Sequence, residues 1–357
     1  MTTHKIDTKI SVGSHLMQNF SEKLKELNPS SVVCLIDCTI LKLYGNTINS
    51  GFKKLGVVAS VIPVSASEKS KTLNGDLINL INQIIEKDVE RKSVFLSIGG
   101  GTVTDLGGFI GSVLLRGIKT VYIPTTLLGM VDASLGGKTG VNVQNNGMLY
   151  KNMIGTFYQP EIVLCDTDFL ATLPQKELKS GIGEIVKYFV GWNSPKLLDI
   201  QSIFNNVKSG QTLRPIIEAC QKIKMEIVAS DPNETGQQRE KLNLGHTIGH
   251  GIEGEKNGTV SHGVAVVWGL LGESYMSMLD GYLSKEEFEK IKMSILSLHI
   301  VNSITFSTPK VLDIMQKDKK NKTYVAIKKI GITLPGVKIN PDNLKKSLAF
   351  LNGNKNL

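Results

Sequence analysis

Cysteine is scarce, at four in 357 residues. None forms a Cys-x-x-Cys pair, so neither a disulfide-stapled scaffold nor a cysteine zinc knuckle is supported. Cys34, Cys38, Cys165 and Cys220 are expected to be reduced and mostly buried. Aromatic residues are also few, at 6% of the chain, and none interleave with the basic clusters. Long apolar runs are missing. The five residues Val32–Ile36 are typical, whereas a membrane-spanning helix needs about 20. No membrane partner is therefore expected. The polar opening Met1–Lys5 leads into mixed sequence without the apolar stretch of a secretory signal, which points to a cytoplasmic location. There is no repeat and no low-complexity tract.

Acidic residues are outnumbered, 32 against 41 Lys and Arg, for a formal net charge of +9. The basic clusters lie at Lys317–Lys322, Lys328/Lys329, Lys345/Lys346 and around Lys69/Lys71. They are scattered and poor in arginine, unlike a nucleic-acid surface. The charge fits better with gathering a small anionic substrate. With 41% hydrophobic and 20% charged residues, the chain can bury a sizeable core.

The length suits two domains. Up to residue 172, β-branched runs alternate with helical patterns. Ser31–Asp37, Val57–Val64, Val94–Ile98, Thr120–Ile123 and Ile162–Asp166 read as buried strands, and Asp76–Lys87 as a helix. Such alternation implies a Rossmann-like, mostly parallel sheet. From 173 to 357 strands nearly vanish. Helical patterns cover Pro174–Val190, Thr212–Ala229, His246–Glu255, His262–Leu279, Ser284–Leu298 and Pro341–Leu351. A junction between two such domains is a common place for a ligand.

Three groupings carry chemistry. The first is a strand ending in Gly99-Gly100-Gly101 before a helix start. Glycines there allow a phosphate to approach the backbone and the helix N-terminus, although the spacing is not G-x-G-x-x-G. Asp37, at the end of an earlier strand, suits ribose hydroxyls or is merely the polar end of that strand. The second grouping is Glu184 and Lys187, three apart in a helical pattern, with Asn243, His246 and His250 spaced along one side of another helix and His262 opening a third. Two histidines and a carboxylate make a catalytic zinc set, but spacing does not decide which three ligate. The Glu of a His-Glu-x-x-His motif is absent, so metalloprotease chemistry is unsupported. The third is a set of cations among glycine and apolar residues: Lys138, Lys151, Lys187, Lys224 and Arg239. Burying them unpaired is costly, so convergence on phosphate and carboxylate groups explains them better.

The ordered motifs GGGTVTDLGGF, LLRG, IPTTLL, VDASLGGKTGVN, KNMIGTFYQP, TLPQKELKSGIGEIVKY, LNLGHTIGHGIE, SHG and DKK run from Val94 to His262 and on to Lys320. Together they resemble the 3-dehydroquinate synthases, a family of sugar phosphate cyclases. The resemblance implies an NAD-binding α/β domain, a mostly helical domain, and a divalent metal between them. Zinc is the expected metal and cobalt an alternative. It implies conversion of 3-deoxy-D-arabino-heptulosonate 7-phosphate to 3-dehydroquinate and phosphate in the shikimate pathway. The course would be transient oxidation, phosphate elimination, reduction and intramolecular aldol closure.

By motif, the implied metal ligands are Glu184, His246 and His262, with His250 contacting substrate or relaying protons. The implied NAD positions are Asp37, Glu68, Lys71, Gly99, Gly100, Gly101, Thr102, Val103, Thr104, Asp105, Thr125, Thr126, Lys138, Lys151, Phe169, Leu170, Ala171 and Thr172. The implied substrate contacts are Asp132, Lys138, Asn152, Lys187, Lys224, Arg239, Asn243 and Lys319 or Lys320. Arg116 would reach a neighbouring subunit's phosphate site, implying a homodimer.

The chain departs from the family pattern in several places. A longer loop, Val143–Tyr150, is expected between Lys138 and Lys151. Gln237-Gln238-Arg239 carries an extra residue, Ala66-Ser67-Glu68 replaces Asp-Gly-Glu, and Thr104 replaces a glycine. A sister cyclase acting on sedoheptulose 7-phosphate or glucose 6-phosphate would share NAD and metal, but Arg239 and Asn243 suit a substrate carboxylate. A metal-dependent polyol dehydrogenase would leave Lys138, Lys151 and Lys187 without a task.

Overall fold

The computed structural model describes residues 7–73, 75–145, 148–197, 199–203, 213–301, 303–317 and 323–353. Its contacts divide the chain into two compact units, Met1–Leu173 and Pro174–Leu357.

The first unit is built on a parallel six-stranded sheet. Its strands are β1 (Lys9–Gly13), β2 (Ser31–Asp37), β3 (Val58–Val64), β4 (Val94–Gly99), β5 (Lys119–Pro124) and β8 (Ile162–Asp166), in the order β1-β8-β5-β4-β2-β3. Strands β4 and β8 are buried along their whole length, as continuous apolar runs buried on both faces should be. Helices α3 (Gly75–Ile85) and α4 (Gly101–Val113) place Leu77, Leu80, Ile84, Val103, Leu106 and Ile110 against Val33, Leu35, Ile62 and Phe95 of the sheet. The chain runs from β2 outward to β3, then crosses back to β4 on the other side of β2. The carboxyl ends of β2 and β4 therefore flank the point where strand order reverses. Open α/β sheets bind ligands there.

Helix α4 lies unusually close to the sheet. A Cβ at Gly107 would overlap the Ser97 hydroxyl, and one at Gly111 would overlap the Thr120 methyl.

Some elements depart from the sequence reading. Strand β1, the short helix α1 (Phe20–Lys25) and helix α2 (Cys38–Leu55) were not legible as periodic runs. Helix α2 buries only Ile48, Gly51, Phe52 and Leu55, near its C-terminal end, while Ile40 and Tyr44 of its first half are only partly covered. Of the segment expected as a long loop over 143–150, the described residues 143–145 and 148–150 belong instead to an antiparallel pair of β6 (Lys138–Asn145) and β7 (Met148–Phe157). Alternation was hidden there by glycine and asparagine, and pairing supplies what local pattern lacks.

The second unit holds helices α5 (Gln175–Trp192), α6 (Arg214–Ser230), α7 (His246–Lys256), α8 (His262–Leu279), α9 (Lys285–Leu296), α10 (Thr308–Lys317) and α11 (Pro341–Gly353). It also contains a two-stranded antiparallel ribbon, β9 (Thr323–Lys329) with β10 (Ile332–Lys338), which the near-absence of strands in the sequence reading missed. Among the described residues, no helix is long and apolar enough to cross a membrane.

Gly107→Val is expected to lower the unfolding free energy by about 1–3 kcal/mol through overpacking against Ser97. The measurement is a lower urea midpoint at unchanged slope. An unchanged midpoint would mean that the α4–sheet contact is not tight.

Candidate active site

In the second unit, Glu184 rides in the middle of α5, His246 opens α7 and His262 opens α8. Glycines make these three helices meet. A Cβ at Gly183 would overlap the Gly263 carbonyl oxygen, and a Cβ at Gly263 would overlap that of Ser180. Likewise a Cβ at Gly269 would overlap the Gly245 carbonyl oxygen. With no side chains in between, the backbones touch, and short polar side chains from three helices reach one point.

At that point Glu184 Oε1 lies 3.2 Å from His262 Nε2 and 3.5 Å from His246 Nε2. Groups sharing a tetrahedral zinc at 2.0–2.1 Å sit about 3.3 Å apart, so these spacings suit a common ion. Both Glu184 oxygens are buried, and neither accepts a hydrogen bond of good geometry. Their charge is met instead by the Lys187 ammonium, 2.6 Å away, and by the His262 ring. Burial would raise the pKa of Glu184, but Lys187, His246 and His262 overcome it and keep the carboxyl well below its ordinary range.

The far nitrogens of both rings are fixed. His246 Nδ1 donates to the Leu244 carbonyl at 3.0 Å, and His262 Nδ1 to Glu253 Oε2 at 2.8 Å. This leaves each Nε2 aimed at Glu184, as outer partners do for metal-binding histidines. Burial pushes His246 down to about 3 despite Glu184, so its ring is neutral at pH 7. For His262, burial is outweighed by the adjacent Glu184 and Glu253 carboxylates, which push it up to about 10. That nitrogen therefore attracts positive charge, whether a proton or a metal. The donor set thus fits a divalent cation.

His250 joins the cluster from one turn along α7. One ligand atom from each of His246, His250 and His262 lies within 4.8 Å of the others. His250 is exposed, however, and stands at the open side. The expectation that Asn243 shares its helix is corrected. Asn243 ends a short 3-10 turn, Arg239–Asn243, and Gly245 with φ +78° separates that turn from α7.

Lys187, which contacts Glu184, and Arg239 are both 1% exposed, and Lys224 on α6 is also buried. The Lys187 ammonium lies 4.7 Å over the Tyr188 ring. Arg239 is anchored through its amide to Asp231 and through Nη1 to the Pro232 carbonyl, 2.7 Å away. Lys319 and Lys320 lie outside the described residues.

Two acids escaped the sequence reading. Glu253 follows His246 by seven positions, two helical turns, and so lies on the same face. Glu273, fully buried in α8, accepts from Gly245 N at 2.7 Å and Ile248 N at 3.2 Å, capping the start of α7. A single acid inside an apolar helical run was the available signal.

In the first unit, β4 ends at Gly99, Gly100 caps α4 without a side-chain bond, and Gly101 opens the helix. The cradle is tight, since a Cβ at Gly100 would come within 3.0 Å of Thr126. Asp37 Oδ1 accepts from Thr39 N at 2.6 Å and Ile40 N at 3.2 Å, so this acid caps α2 as well as ending its strand. Val103, Thr104, Phe169 and Leu170 are buried, whereas Ala171 and Thr172 are exposed. Thr125 is buried and its amide donates to the Gly99 carbonyl at 2.9 Å. Buried Lys71 forms an ion pair with Asp105 of α4. Asp132 sits half-buried in the turn Gly129–Ala133. Lys138, which follows Gly136 and Gly137 at φ +82° and +69°, is exposed, as are Glu68, Lys151, Asn152 and Arg116.

Burial pushes the Glu273 carboxyl up to about 8 against three backbone donors. A raised folded-state pKa gives stability that is complete below the unfolded value, near pH 4.5, and is lost as pH rises through about 8. The stability of the natural protein minus that of Glu273→Gln should therefore fall between those limits, as read by urea unfolding at a series of pH values. A flat difference would show Glu273 to be ionised throughout.

The sequence profile of the 3-dehydroquinate synthase N-terminal domain matches residues 61–180, and that of the C-terminal domain matches residues 181–321. The 3-dehydroquinate synthase of Alkaliphilus metalliredigens is 38% identical over 298 residues, 82% of this chain and 81% of that protein. That of Pelagibacter ubique is 36% identical over 357 residues, covering 93% and 92%. Among solved structures, 2-epi-5-epi-valiolone synthase from Streptomyces hygroscopicus, with NAD+ and Zn2+ bound, superposes with a TM-score of 0.86 at 23% identity over 98% of both chains. A 2-deoxy-scyllo-inosose synthase complexed with carbaglucose-6-phosphate, NAD+ and Co2+ gives 0.84 at 20% identity over 95% of both. Glycerol dehydrogenase from Schizosaccharomyces pombe gives 0.69 at 17%, covering 98% of this chain and 89% of that one. With both domain profiles matched along most of its length and relatives above one-third identity, the chain belongs to the 3-dehydroquinate synthase family.

Proposed function

We propose that this chain converts 3-deoxy-D-arabino-heptulosonate 7-phosphate to 3-dehydroquinate and phosphate in the shikimate pathway. The carrying observation is Glu184 Oε1 at 3.2 and 3.5 Å from two imidazole nitrogens whose rings are locked from behind. Glu184, His246 and His262 hold a divalent metal, zinc or alternatively cobalt. When bound, NAD supplies a reversible hydride acceptor and the metal a Lewis acid that polarises substrate oxygens.

The chain's own groups do the rest. In the first unit, the backbone from Gly99 to Asp105 and the α4 N-terminus receive the dinucleotide pyrophosphate. Asp37, Glu68, Lys71, Thr125, Thr126, Lys138, Lys151 and the Phe169–Thr172 turn complete the NAD contacts. Asp132, Lys138 and Asn152 contact the sugar phosphate. In the second unit, Lys187, Lys224, Arg239 and Asn243 hold the substrate anion, with Arg239 and Asn243 directed to its carboxylate. The burial of Lys187, Lys224 and Arg239 means that these charges are held in place before substrate arrives, so little reorganisation is needed. His250, at the open side of the cluster, relays a proton during phosphate departure. Lys319 or Lys320 adds a further cation.

The working form is a homodimer, with Arg116 reaching the second copy's phosphate. Leu115, Arg116 and Gly117 take φ of 49°, 67° and 109° in succession, and strained backbone of this kind is retained where function fixes it. Exposed Val113, Leu115, Met153 and Phe157 provide apolar surface for a second copy. The location is cytoplasmic and nucleic acid is not a partner, in keeping with four reduced cysteines and scattered basic clusters.

The sister cyclases share the fold at 20–23% identity, against 36–38% for the 3-dehydroquinate synthases compared above. Arg239 and Asn243 favour a substrate with a carboxylate.

Protein supplied with NAD and zinc should release phosphate from the heptulosonate phosphate, but not from sedoheptulose 7-phosphate or glucose 6-phosphate. The reverse pattern would transfer the assignment to a sister cyclase. His262→Ala should lose its zinc by elemental analysis and about 100-fold or more of its turnover. Full zinc retention would remove His262 from the ligand set.

A further inference from the structure

The β6–β7 hairpin contains an irregularity that bears on ligand contacts. Val141 pairs with Ile154 and Val143 pairs with Tyr150. One residue of β6, Asn142, therefore stands opposite three of β7: Lys151, Asn152 and Met153. Bulges of this kind re-aim side chains and often lie beside active sites. Here Asn152 takes φ of 52°, the left-handed region.

Asn142 is fully buried and uses every polar group it has. Its Oδ1 accepts from Asn152 N at 2.9 Å, taking the place of a missing ladder bond. Its Nδ2 donates to Glu68 Oε2 at 2.7 Å and to the Glu68 carbonyl at 3.2 Å. Its own amide donates to the Lys71 carbonyl at 2.9 Å, and its carbonyl accepts from Leu73 N at 2.7 Å. One residue thus grips the Glu68–Leu73 turn on one side and the bulge on the other.

We propose that Asn142 is a positioning residue that sets the NAD-contacting Glu68–Lys71 turn and the Lys151–Asn152 bulge as a single unit. The inference rests on the assignment of Glu68, Lys71, Lys151 and Asn152 as ligand contacts. Fully buried, Asn142 acts through these residues. Its amide is neutral and rigid and offers a donor and an acceptor on opposite sides, which an aliphatic side chain of the same size does not. Removing it leaves the Asn152 amide and the Glu68 carboxylate without the partner that orients them.

The test uses zinc-loaded, full-length Asn142→Ala. NAD binding is read by calorimetry, turnover by phosphate release, zinc by elemental analysis and folding by thermal midpoint. NAD Kd should rise about tenfold and kcat/KM should fall about tenfold, as for the loss of one buried, charge-assisted bond. Zinc should stay at the natural protein's level. If the variant unfolds, Asn142→Ser, which keeps a small hydroxyl, carries the same comparison. Combined with Glu68→Ala, the effects on NAD Kd should be less than additive, because one acts through the other. A lower thermal midpoint with unchanged NAD Kd and kcat/KM, or fully additive effects, would overturn the proposal. Glu68→Ala and Asn152→Ala alone separate the two levels of argument. If neither alters NAD Kd or kcat/KM, the underlying site assignment is wrong. If they do and Asn142→Ala does not, only the positioning role is wrong.

Discussion

The second unit depends on backbone-to-backbone contact between helices. Gly183, Gly263 and Gly269 each sit where a Cβ would overlap a carbonyl oxygen of a crossing helix or of the turn that starts one. Ordinary helix pairs are held 8–10 Å apart by the side chains between them. Without side chains at the crossing, α5, α7 and α8 come close enough for a glutamate and two histidines to share one point. The glycines have an intrinsic cost of up to about 1 kcal/mol each in helix propensity. The close packing they permit offsets it and produces the donor cluster.

That cluster is poor material for stability. Glu184 and Lys187 are both 1% exposed, and their ion pair is 2.6 Å long. Desolvating two charges commonly cancels their attraction, and an apolar pair of similar volume would often hold the fold as well. The pair makes sense as a preset electrostatic field. Glu184 is kept ionised among cations, and Glu253 and the Leu244 carbonyl keep the ring nitrogens turned inward. Glu273 performs a similar service one layer out by satisfying the backbone amides at the start of the helix that carries His246.

The first unit solves a different problem with different means. The groups proposed to meet ligand stand at the carboxyl ends of β2 and β4, where chain order reverses, and on the β6–β7 hairpin. At the glycine loop, Val103 and Thr104 belong to the core. The hairpin offers Lys138, Lys151 and Asn152 from a strand pair whose regular register is interrupted at Asn142. Rigid sheet, close-packed helix and a bulge locked by one amide together give mobile, charged side chains a fixed base.

The sequence by itself determined the elements whose pattern is local. Continuous β-branched runs identified β2, β4, β5 and β8, because strands buried on both faces need no alternation. Strand β3 was found the same way, but as the sheet's edge it is only partly covered rather than buried as expected. Helical spacing identified most helices of the second unit, including the start of α8 at His262. Ordered motifs identified the family. Only the tertiary structure decided what depends on non-local pairing. The hairpin, the β9–β10 ribbon and the bulge exist through hydrogen bonds between distant or irregularly spaced residues. Spacing left open which of the histidines stands nearest the acid. The helix crossings decided it, bringing His246 and His262 within 3.5 Å of Glu184 and leaving His250 at the open side. Periodicity describes one element at a time, whereas a shared ligand point is a property of several elements packed together.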